Sequence, residues 1–311
     1  KRQGLYSKKG DTLGELNRYQ DALAAYEQAL RVDPNNAQAY TGHGYILYML
    51  NRYQDALAAF EQAIRLQPND ASLYSKKGDT LGALNRHKEA LTAYEQAIRL
   101  DPNNSQAYTG EGYALYRLRR YKEGLSAFER AIRLDPNNAE AYTGEGYALS
   151  SLGRYEEALT TYELAVHLDP NNAQAYTGGG YILYMLNRYQ EALTVFEQAI
   201  RLNSYNTGLY SKKGDTLGEL NRYQDALVAY EQAIRLDSSD AQAYAGEGYA
   251  LSSLGRYQEA LTAFEQALDF DPTSSNVSNG KQKTLEIVQT IKKKENWKII
   301  AFMNAIFNYS I

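Results

Sequence analysis

The chain of 311 residues contains no cysteine, which excludes disulfide bonds and cysteine-ligated metal sites. It has only three histidines, His43, His87 and His167, and they are widely separated along the sequence. Nucleophilic catalysis and metal binding both need reactive or ligating side chains close together. We therefore expect no catalytic residues, no metal and no cofactor, and we predict that the protein is not an enzyme. The absence of cysteine does not separate a reducing compartment from an oxidising one, so localisation stays open.

The chain also lacks an excess of basic charge, since its formal net charge is -4. The residues before Ser275 include 27 basic and 35 acidic side chains, and the tail after that point has six lysines and two glutamates. An acidic surface repels phosphate backbones, so we expect no nucleic-acid partner. No segment has the pattern of a secretory signal, and the chain begins at Lys1 without a methionine, which favours a fragment or a processed chain.

Proline is scarce, and its spacing reveals a period. The six prolines fall on a series with a step of 34 residues, whose two other members are Ser204 and Ser238: Pro34, Pro68, Pro102, Pro136, Pro170 and Pro272. A fixed period of this length is typical of solenoid proteins. Counted from Gln3, the repeats are residues 3–36, 37–70, 71–104, 105–138, 139–172, 173–206, 207–240 and 241–274.

The pattern within each repeat predicts two amphipathic helices. In the second repeat, Leu47 belongs to one apolar run at helical spacing, while Leu57, Phe60 and Ile64 belong to the next. Between the two runs stands a residue suited to a left-handed helix end, at Asn51, Asn85, Gly153, Asn187 and Gly255. A single hairpin cannot bury its apolar face, so we expect each repeat to stack on its neighbours.

These features resemble the tetratricopeptide repeat, and the resemblance covers residues 3–274 without an insertion. The aromatic residue of the first helix is matched by Tyr6, Tyr40, Tyr74, Tyr108, Tyr142, Tyr176, Tyr210 and Tyr244, which we expect to be buried. The glycine four residues later is matched by Gly10, Gly44, Gly78, Gly112, Gly146, Gly180, Gly214 and Gly248. The aromatic residue of the second helix is matched by Tyr26, Phe60, Tyr94, Phe128, Tyr162, Phe196, Tyr230 and Phe264. The resemblance implies an all-α fold, a right-handed α-solenoid of eight 34-residue helix-turn-helix units with a C-terminal capping segment over residues 275–311.

In the family, the first helices line a groove that binds a protein or peptide. Transferred to this sequence, the groove consists of Thr41, Tyr45, Tyr48, Met49, Thr109, Tyr113, Tyr116, Arg117, Thr143, Tyr147, Thr177, Tyr181, Tyr184, Met185 and Tyr249. The tyrosines in this set remain after the packing positions are accounted for, and tyrosine is favoured at binding surfaces. Their alternative role is to fill the space between neighbouring first helices. For the accompanying lysine and aspartate pairs, such as Lys212 and Asp215, an ion pair within the helix is the simpler interpretation.

The resemblance favours a scaffold or sensor module that binds a peptide segment or a partner surface. Two alternatives stay open. The chain could be a non-catalytic targeting or regulatory domain of a larger enzyme, such as a transferase or a signalling ATPase, or it could be a passive oligomerising spacer. The lysine and asparagine clamp that holds chaperone tails in some family members is absent here, so that activity is not implied.

One repeated position departs from the family pattern, and another predicts contacts on the surface. The residue before the first-helix glycine is commonly leucine in the family but is Lys9, His43, Lys77, Glu111, Glu145, Gly179, Lys213 and Glu247 here, which predicts altered packing. An arginine such as Arg18 precedes every second helix, and a glutamate such as Glu27 follows nine residues later. We expect these pairs to form exposed salt bridges of low energy.

The tail differs from the repeats. Residues 275–280 have the composition of a linker, and Leu285, Val288 and Ile291 then follow at helical spacing, which predicts a capping helix. Segment 297–303 is too apolar for water and too short to span a membrane comfortably, so a membrane partner is not favoured. We expect this segment to pack on the last repeat, in a groove or on another copy, which would give self-association through the tail.

Overall fold

The computed structural model describes the backbone of residues 2–308 and the side chains of residues 4–294, Asn296 and Lys298. This part of the chain forms seventeen α-helices and no strand. The first helices of the hairpins are α1 (Arg2–Glu15), α3 (Ala37–Met49), α5 (Ala71–Ala83), α7 (Ser105–Arg117), α9 (Ala139–Ser151), α11 (Ala173–Met185), α13 (Thr207–Glu219) and α15 (Ala241–Ser253). The second helices are α2 (Tyr19–Val32), α4 (Tyr53–Leu66), α6 (His87–Leu100), α8 (Tyr121–Leu134), α10 (Tyr155–Leu168), α12 (Tyr189–Leu202), α14 (Tyr223–Leu236) and α16 (Tyr257–Phe270). A long helix, α17 (Ser275–Asn308), follows them, and the predicted all-helical fold is confirmed.

A left-handed residue makes the turn within each hairpin. The backbone angle φ is positive at Asn17, Asn51, Asn85, Arg119, Gly153, Asn187, Asn221 and Gly255. Asparagine and glycine adopt this conformation at low cost, which explains their place in the pattern. The hydroxyl of Tyr53 also donates a hydrogen bond to Asn51 Oδ1 at 2.6 Å and so holds the turn residue. The predicted left-handed helix ends are confirmed. Arg119 has the same positive φ angle, but arginine adopts it at a higher energetic cost than asparagine or glycine.

The chain divides into two compact units, Lys1–Pro170 and Asn171–Ile311. The N-terminal unit contains α1 to α10, and the C-terminal unit contains α11 to α17. Within each unit, a second helix packs against the first helix of the next hairpin, and first helices such as α7 and α9, or α13 and α15, also contact each other. This stacking is the solenoid arrangement that the sequence predicts.

The aromatic residue of the second helix is the centre of each hairpin core. Phe60 is 1% exposed and Phe128 is 0% exposed. A Cβ atom placed on Gly44 would lie 2.9 Å from the ring of Phe60, and one placed on Gly144 would overlap the ring of Phe128. The glycines are needed because aromatic rings fill the space that their side chains would take. The expectation for the first-helix tyrosines is wrong, since residues such as Tyr40 are only half-buried.

The arginines before the second helices form ion pairs with acidic residues that are nearer in the sequence than predicted. Arg18 pairs with Asp21 at 2.6 Å, three residues later, rather than with Glu27, and the same spacing recurs in all eight hairpins. The acidic partner lies in the first helical turn, where the helix dipole also favours it. Both side chains are exposed, so each pair contributes little to stability.

Helix α17 corrects the expected linker. It already begins at Ser275, and within the described part of this helix Val277, Gly280 and Thr284 are buried. Of the apolar residues predicted to form the cap, Leu285 and Val288 are half-buried, whereas Ile291 is 39% exposed. The cap therefore starts earlier than predicted, because this segment continues the first-helix register of the repeats. Apart from Lys298, the side chains of segment 297–303 lie outside the described residues.

None of the helices in the described part of the chain combines the length and apolar content needed to cross a membrane.

Candidate partner-binding face

The predicted groove residues differ widely in exposure. Six are exposed, namely Tyr45, Met49, Arg117, Tyr181, Met185 and Tyr249. Seven are half-buried, namely Thr41, Tyr48, Tyr113, Tyr116, Tyr147, Thr177 and Tyr184. Two are buried, namely Thr109 and Thr143. A partner can therefore reach the aromatic and thioether part of the predicted set more readily than the threonines.

Thr109 and Thr143 are a correction to the predicted groove. They are 0% and 1% exposed, and their hydroxyls donate to the carbonyl oxygens of Ser105 and Ala139 at 3.0 and 2.9 Å. Asn138, which caps α9, also donates from Nδ2 to Thr109 Oγ1 at 3.1 Å. This position fastens the cap of the next first helix, so burial follows from repeat stacking and leaves no surface for a partner.

A first tyrosine cluster, made of Tyr45, Tyr48, Met49 and Lys76, lies in the N-terminal unit. Tyr45 is 47% exposed and Met49 is 41% exposed. Lys76 Nζ lies 5.5 Å from the centre of the Tyr45 ring, within the range of a cation–π contact. The ring of Tyr48 packs edge-on against Tyr53, with centroids 5.2 Å apart. The cluster thus presents an exposed thioether beside aromatic rings that contact Tyr53 and Lys76.

A second tyrosine cluster, made of Tyr181, Tyr184, Met185 and Lys212, lies in the C-terminal unit. Tyr181 is 38% exposed and Met185 is 56% exposed. Lys212 Nζ lies 5.9 Å from the centre of the Tyr181 ring and 5.7 Å from that of Tyr184. The same lysine forms an ion pair of 2.6 Å with Asp215, as the spacing of three residues predicts. Burial, followed by the nearby acidic side chains, raises the pKa of Tyr184 to about 12, so this hydroxyl stays protonated at neutral pH.

Three tyrosines outside the two clusters, Tyr113, Tyr116 and Tyr147, are half-buried and contact both their own and neighbouring hairpins. The ring of Tyr113 packs edge-on against Phe128 with centroids 5.1 Å apart, and its hydroxyl donates to the Glu140 carbonyl at 3.1 Å. Tyr116 and Tyr147 pack against each other with centroids 5.9 Å apart. These contacts support the alternative role of filling space between neighbouring first helices.

The aspartates of the first helices bind core tyrosines, which sequence reasoning missed. Asp79 Oδ1 accepts a hydrogen bond of 2.6 Å from the hydroxyl of Tyr94, and equivalent bonds join Asp11 to Tyr26 and Asp215 to Tyr230. The signal was present in the sequence. Every repeat with aspartate at this position has tyrosine rather than phenylalanine 15 residues later.

Two equivalent cavities open beside the first helices. In the N-terminal unit a cavity of about 660 Å³ is lined by Asp11, Glu15, Gln38, Tyr45 and Met49, among others. In the C-terminal unit a cavity of about 460 Å³ is lined by the matching residues Asp215, Glu219, Gln242, Tyr249 and Ser253. Each cavity therefore combines two carboxylates on one first helix with a tyrosine on the next.

The unusual position before the first-helix glycine faces the second helix of the preceding hairpin. Three lysines there form ion pairs of 2.9, 2.8 and 3.0 Å with a glutamate on that helix: Lys77 with Glu61, Lys213 with Glu197 and Lys281 with Glu265. At other junctions two glutamates meet. Burial, and then Glu129, raise the pKa of Glu145 to about 7, while burial and Glu95 raise the pKa of Glu111 to about 6.

The described residues contain no group of three or more His, Cys, Asp or Glu side chains placed to hold a metal ion.

The tetratricopeptide repeat family matches the chain at residues 7–71, 75–139, 143–207 and 211–275. Because these matches cover most of the chain, the protein belongs to the tetratricopeptide repeat family. Membership of this family supports a general protein-binding role. No curated protein sequence matches the chain.

Solved structures provide further similarity. The crystal structure of the APC/C hetero-tetramer Cut9-Hcn1 contains a chain with 20% identity and a TM-score of 0.68, over 89% of this chain and 54% of that one. The chain thus spans about half of that relative, and at this identity the likeness supports the fold alone. The MamA protein matches at 23% identity and a TM-score of 0.48, over 55% of this chain and 94% of that one. YrrB, described as a TPR protein with an unusual peptide-binding site, matches at 26% identity and a TM-score of 0.45, over 58% and 93%.

Proposed function

We propose that this chain is a non-catalytic protein-interaction module whose first-helix face binds a peptide segment or an extended surface of a partner protein. The observation that carries the proposal is the recurrence of an exposed tyrosine and methionine pair beside a lysine, once in each compact unit. These exposed side chains are not needed to fill the core, because the second-helix aromatic residues already fill it.

The chemistry of the two clusters suits recognition of a peptide. Tyrosine buries a large area at a low cost in side-chain entropy, and methionine adapts its shape to the partner. The tyrosine rings are already restrained by edge-on contacts, as in Tyr181 against Phe196 at 5.6 Å, so less freedom is lost when the partner binds. Lys76 and Lys212 add a cation next to each aromatic surface. We therefore expect a partner segment with apolar or aromatic anchors, accompanied by acidic side chains.

The proposal that the module is non-catalytic rests on the separation of its reactive residues. His43, His87 and His167 lie in different hairpins, and the chain has no cysteine. Burial also lowers the pKa of His43, which favours a neutral packed imidazole. The acidic repeats support protein rather than nucleic acid as the partner.

A random-peptide phage library selected against the intact chain provides the test. Synthetic versions of the selected peptides are titrated against the chain and against a variant with Tyr45→Ala, Met49→Ala, Tyr181→Ala and Met185→Ala. Because binding energy concentrates in a few aromatic anchors, we expect the variant to bind at least ~10-fold more weakly. Its circular dichroism should match that of the parent, and its melting temperature should fall less than that of a core variant, since these four side chains are 38–56% exposed.

The matched control changes exposed apolar residues on second helices, with Val32→Ala, Leu164→Ala and Val228→Ala. We expect this control to bind the peptides as the parent does. Phe60→Ala serves as the core reference, because loss of a fully buried phenylalanine costs about 3–5 kcal/mol. Equal peptide binding by the parent and the tyrosine variant would disprove the assignment of this face.

A further inference from the structure

Three first helices have an exposed tyrosine at the same position of the repeat: Tyr45 on α3, Tyr181 on α11 and Tyr249 on α15. In the first two, a lysine of the next first helix lies over the ring, with its Nζ atom 5.5 or 5.9 Å from the ring centre. These lysines are Lys76 and Lys212. The chain therefore places a cation against this tyrosine position twice.

The third tyrosine, Tyr249, lies beside a glycine instead. Helix α17 packs on its hairpin, and Gly280 stands at the position of Lys76 and Lys212. A Cβ atom placed on Gly280 would lie 2.8 Å from the Tyr249 ring, so α17 approaches the ring closely. The Tyr249 hydroxyl donates to the Asn276 carbonyl at 2.7 Å, while the side chain remains 44% exposed. The ring is thus held in place without a cation from position 280.

The cavity of about 460 Å³ beside Tyr249 is acidic. The described residues that line it include Asp215, Glu219 and Asp271 and no lysine, arginine or histidine. Asp215 already pairs with Lys212 at 2.6 Å. Glu219 is exposed, and no ion pair joins it to a described residue. Its carboxylate is therefore available to a cation from outside the chain.

Aromatic side chains surround Glu219. The hydroxyl groups of Tyr184 and Tyr189 interact with its carboxylate, and Tyr184 and Tyr223 line the same cavity as Tyr249. A carboxylate has several acceptor sites, so these hydroxyls leave room for a further donor. Carboxylates pair with ammonium and guanidinium groups, and aromatic rings attract the same cations.

We propose that this cavity is a subsite for a basic side chain of the partner, whose ammonium or guanidinium group pairs with Glu219 beside the Tyr249 ring. The inference rests on the proposed function, because the cavity opens on the same first-helix face. Helix α5 provides a contrast within the chain. There Ala83 replaces Glu219, and Tyr113 of the next first helix is half-buried. A basic side chain is thus expected at α13 and not at α5.

The subsite also sets a spacing of charges in the partner segment. Lys212, which attracts an acidic side chain, and Glu219 are seven residues apart on α13. This separation is about 10.5 Å along a helix, which an extended peptide spans in about three residues. We therefore expect peptides in which an acidic and a basic residue are about three positions apart.

The first test uses a small probe, Nα-acetyl-lysine-amide, titrated against the intact chain. The tyrosine ring signals are followed by NMR, and the Tyr249 signal is assigned from a Tyr249→Phe variant. We expect a saturable shift of this signal and an affinity at least ~10-fold lower in Glu219→Ala, because the variant loses the paired charge. The fold should tolerate the change, since it gives residues 211–220 the same sequence as residues 75–84.

Two controls separate charge recognition from general contact. Nα-acetyl-norleucine-amide has an uncharged side chain of similar length and should leave the Tyr249 signal in place. Glu231→Ala removes an exposed carboxylate from second helix α14 and should bind the lysine probe as the parent does.

The selected phage peptides provide the second test. Replacement of their basic residue by glutamate should weaken binding to the parent at least ~10-fold and should have little effect on binding to Glu219→Ala.

The subsite is overturned if the lysine probe shifts the Tyr249 signal no more than the norleucine probe, or if Glu219→Ala and Glu231→Ala bind it equally. Selected peptides that bind the parent equally with either charge would also overturn it. The proposed function has a separate readout, because Tyr45, Met49, Tyr181 and Met185, which are changed in its test, do not line this cavity.

Discussion

Glu145 on α9 faces a like charge across a hairpin junction. Its neighbours are Glu129 and Glu157, with Arg154 as the opposing positive charge. Burial, followed by Glu129, raises the pKa of Glu145 from 4.5 to about 7. At the equivalent place in α5, Lys77 instead forms an ion pair. We predict that Glu145→Gln stabilises the fold at alkaline pH, because it removes a half-buried charge that faces another carboxylate.

The sign follows from proton linkage. A folded-state pKa above the unfolded value means that the folded chain binds the proton more tightly. The contribution of Glu145 to stability is therefore complete below pH 4.5 and is lost as the pH rises through about 7. A rise from 4.5 to about 7 corresponds to ~3 kcal/mol, which screening by solvent reduces to ~1–2 kcal/mol for a half-buried side chain.

Urea unfolding of the parent and Glu145→Gln, followed by circular dichroism between about pH 4.5 and pH 8, measures this effect. At pH 8 we expect the variant to be more stable by ~1–2 kcal/mol, and near pH 4.5 the difference should almost vanish. Lys77→Gln is the matched control at a junction with opposite charges, and its small cost should stay nearly constant between about pH 6 and pH 8. A Glu145→Gln effect that is independent of pH, or destabilising at pH 8, would refute the reasoning.

Two further changes test local features of the fold. Arg119→Asn should stabilise the chain by about 1 kcal/mol in urea unfolding, since asparagine tolerates the positive φ angle at this turn better than arginine does; an unchanged midpoint would contradict the account of the hairpin turns. Tyr94→Phe should destabilise it by ~1–3 kcal/mol, because Asp79 loses a hydrogen bond in a site where burial already raises its pKa. Tyr162→Phe is the comparison, as its hydroxyl contact is long at 3.4 Å, and equal costs for the two substitutions would argue against the aspartate bond.

The period, the hairpins and the turn residues could be predicted because each depends on local spacing. The position of Asn51, for example, follows from the end of one apolar run and the start of the next. Contacts between hairpins were harder to predict, because they join residues that are far apart in the sequence. The burial of Thr109 depends on Asn138, which lies 29 residues away and binds it only after the hairpins stack.

The prediction of a linker at residues 275–280 was wrong for a related reason. Its composition is polar, but its register continues that of the first helices, and the open end of α16 favours a helix there. The composition of residues 275–280 does not show that helix α16 lies beside them. Exposure likewise separates Tyr45 from Tyr113, which occupy the same position in different hairpins.

Photo-crosslinking distinguishes a partner bound at the first-helix face from one bound elsewhere on the chain. A photoreactive benzoylphenylalanine is placed in separate proteins at positions 45, 181 and 228, and each protein is irradiated with the same selected peptide. We expect crosslinks from positions 45 and 181, which lie on first helices, and none from position 228 on second helix α14. Crosslinking at position 228 in the absence of products at 45 and 181 would contradict it.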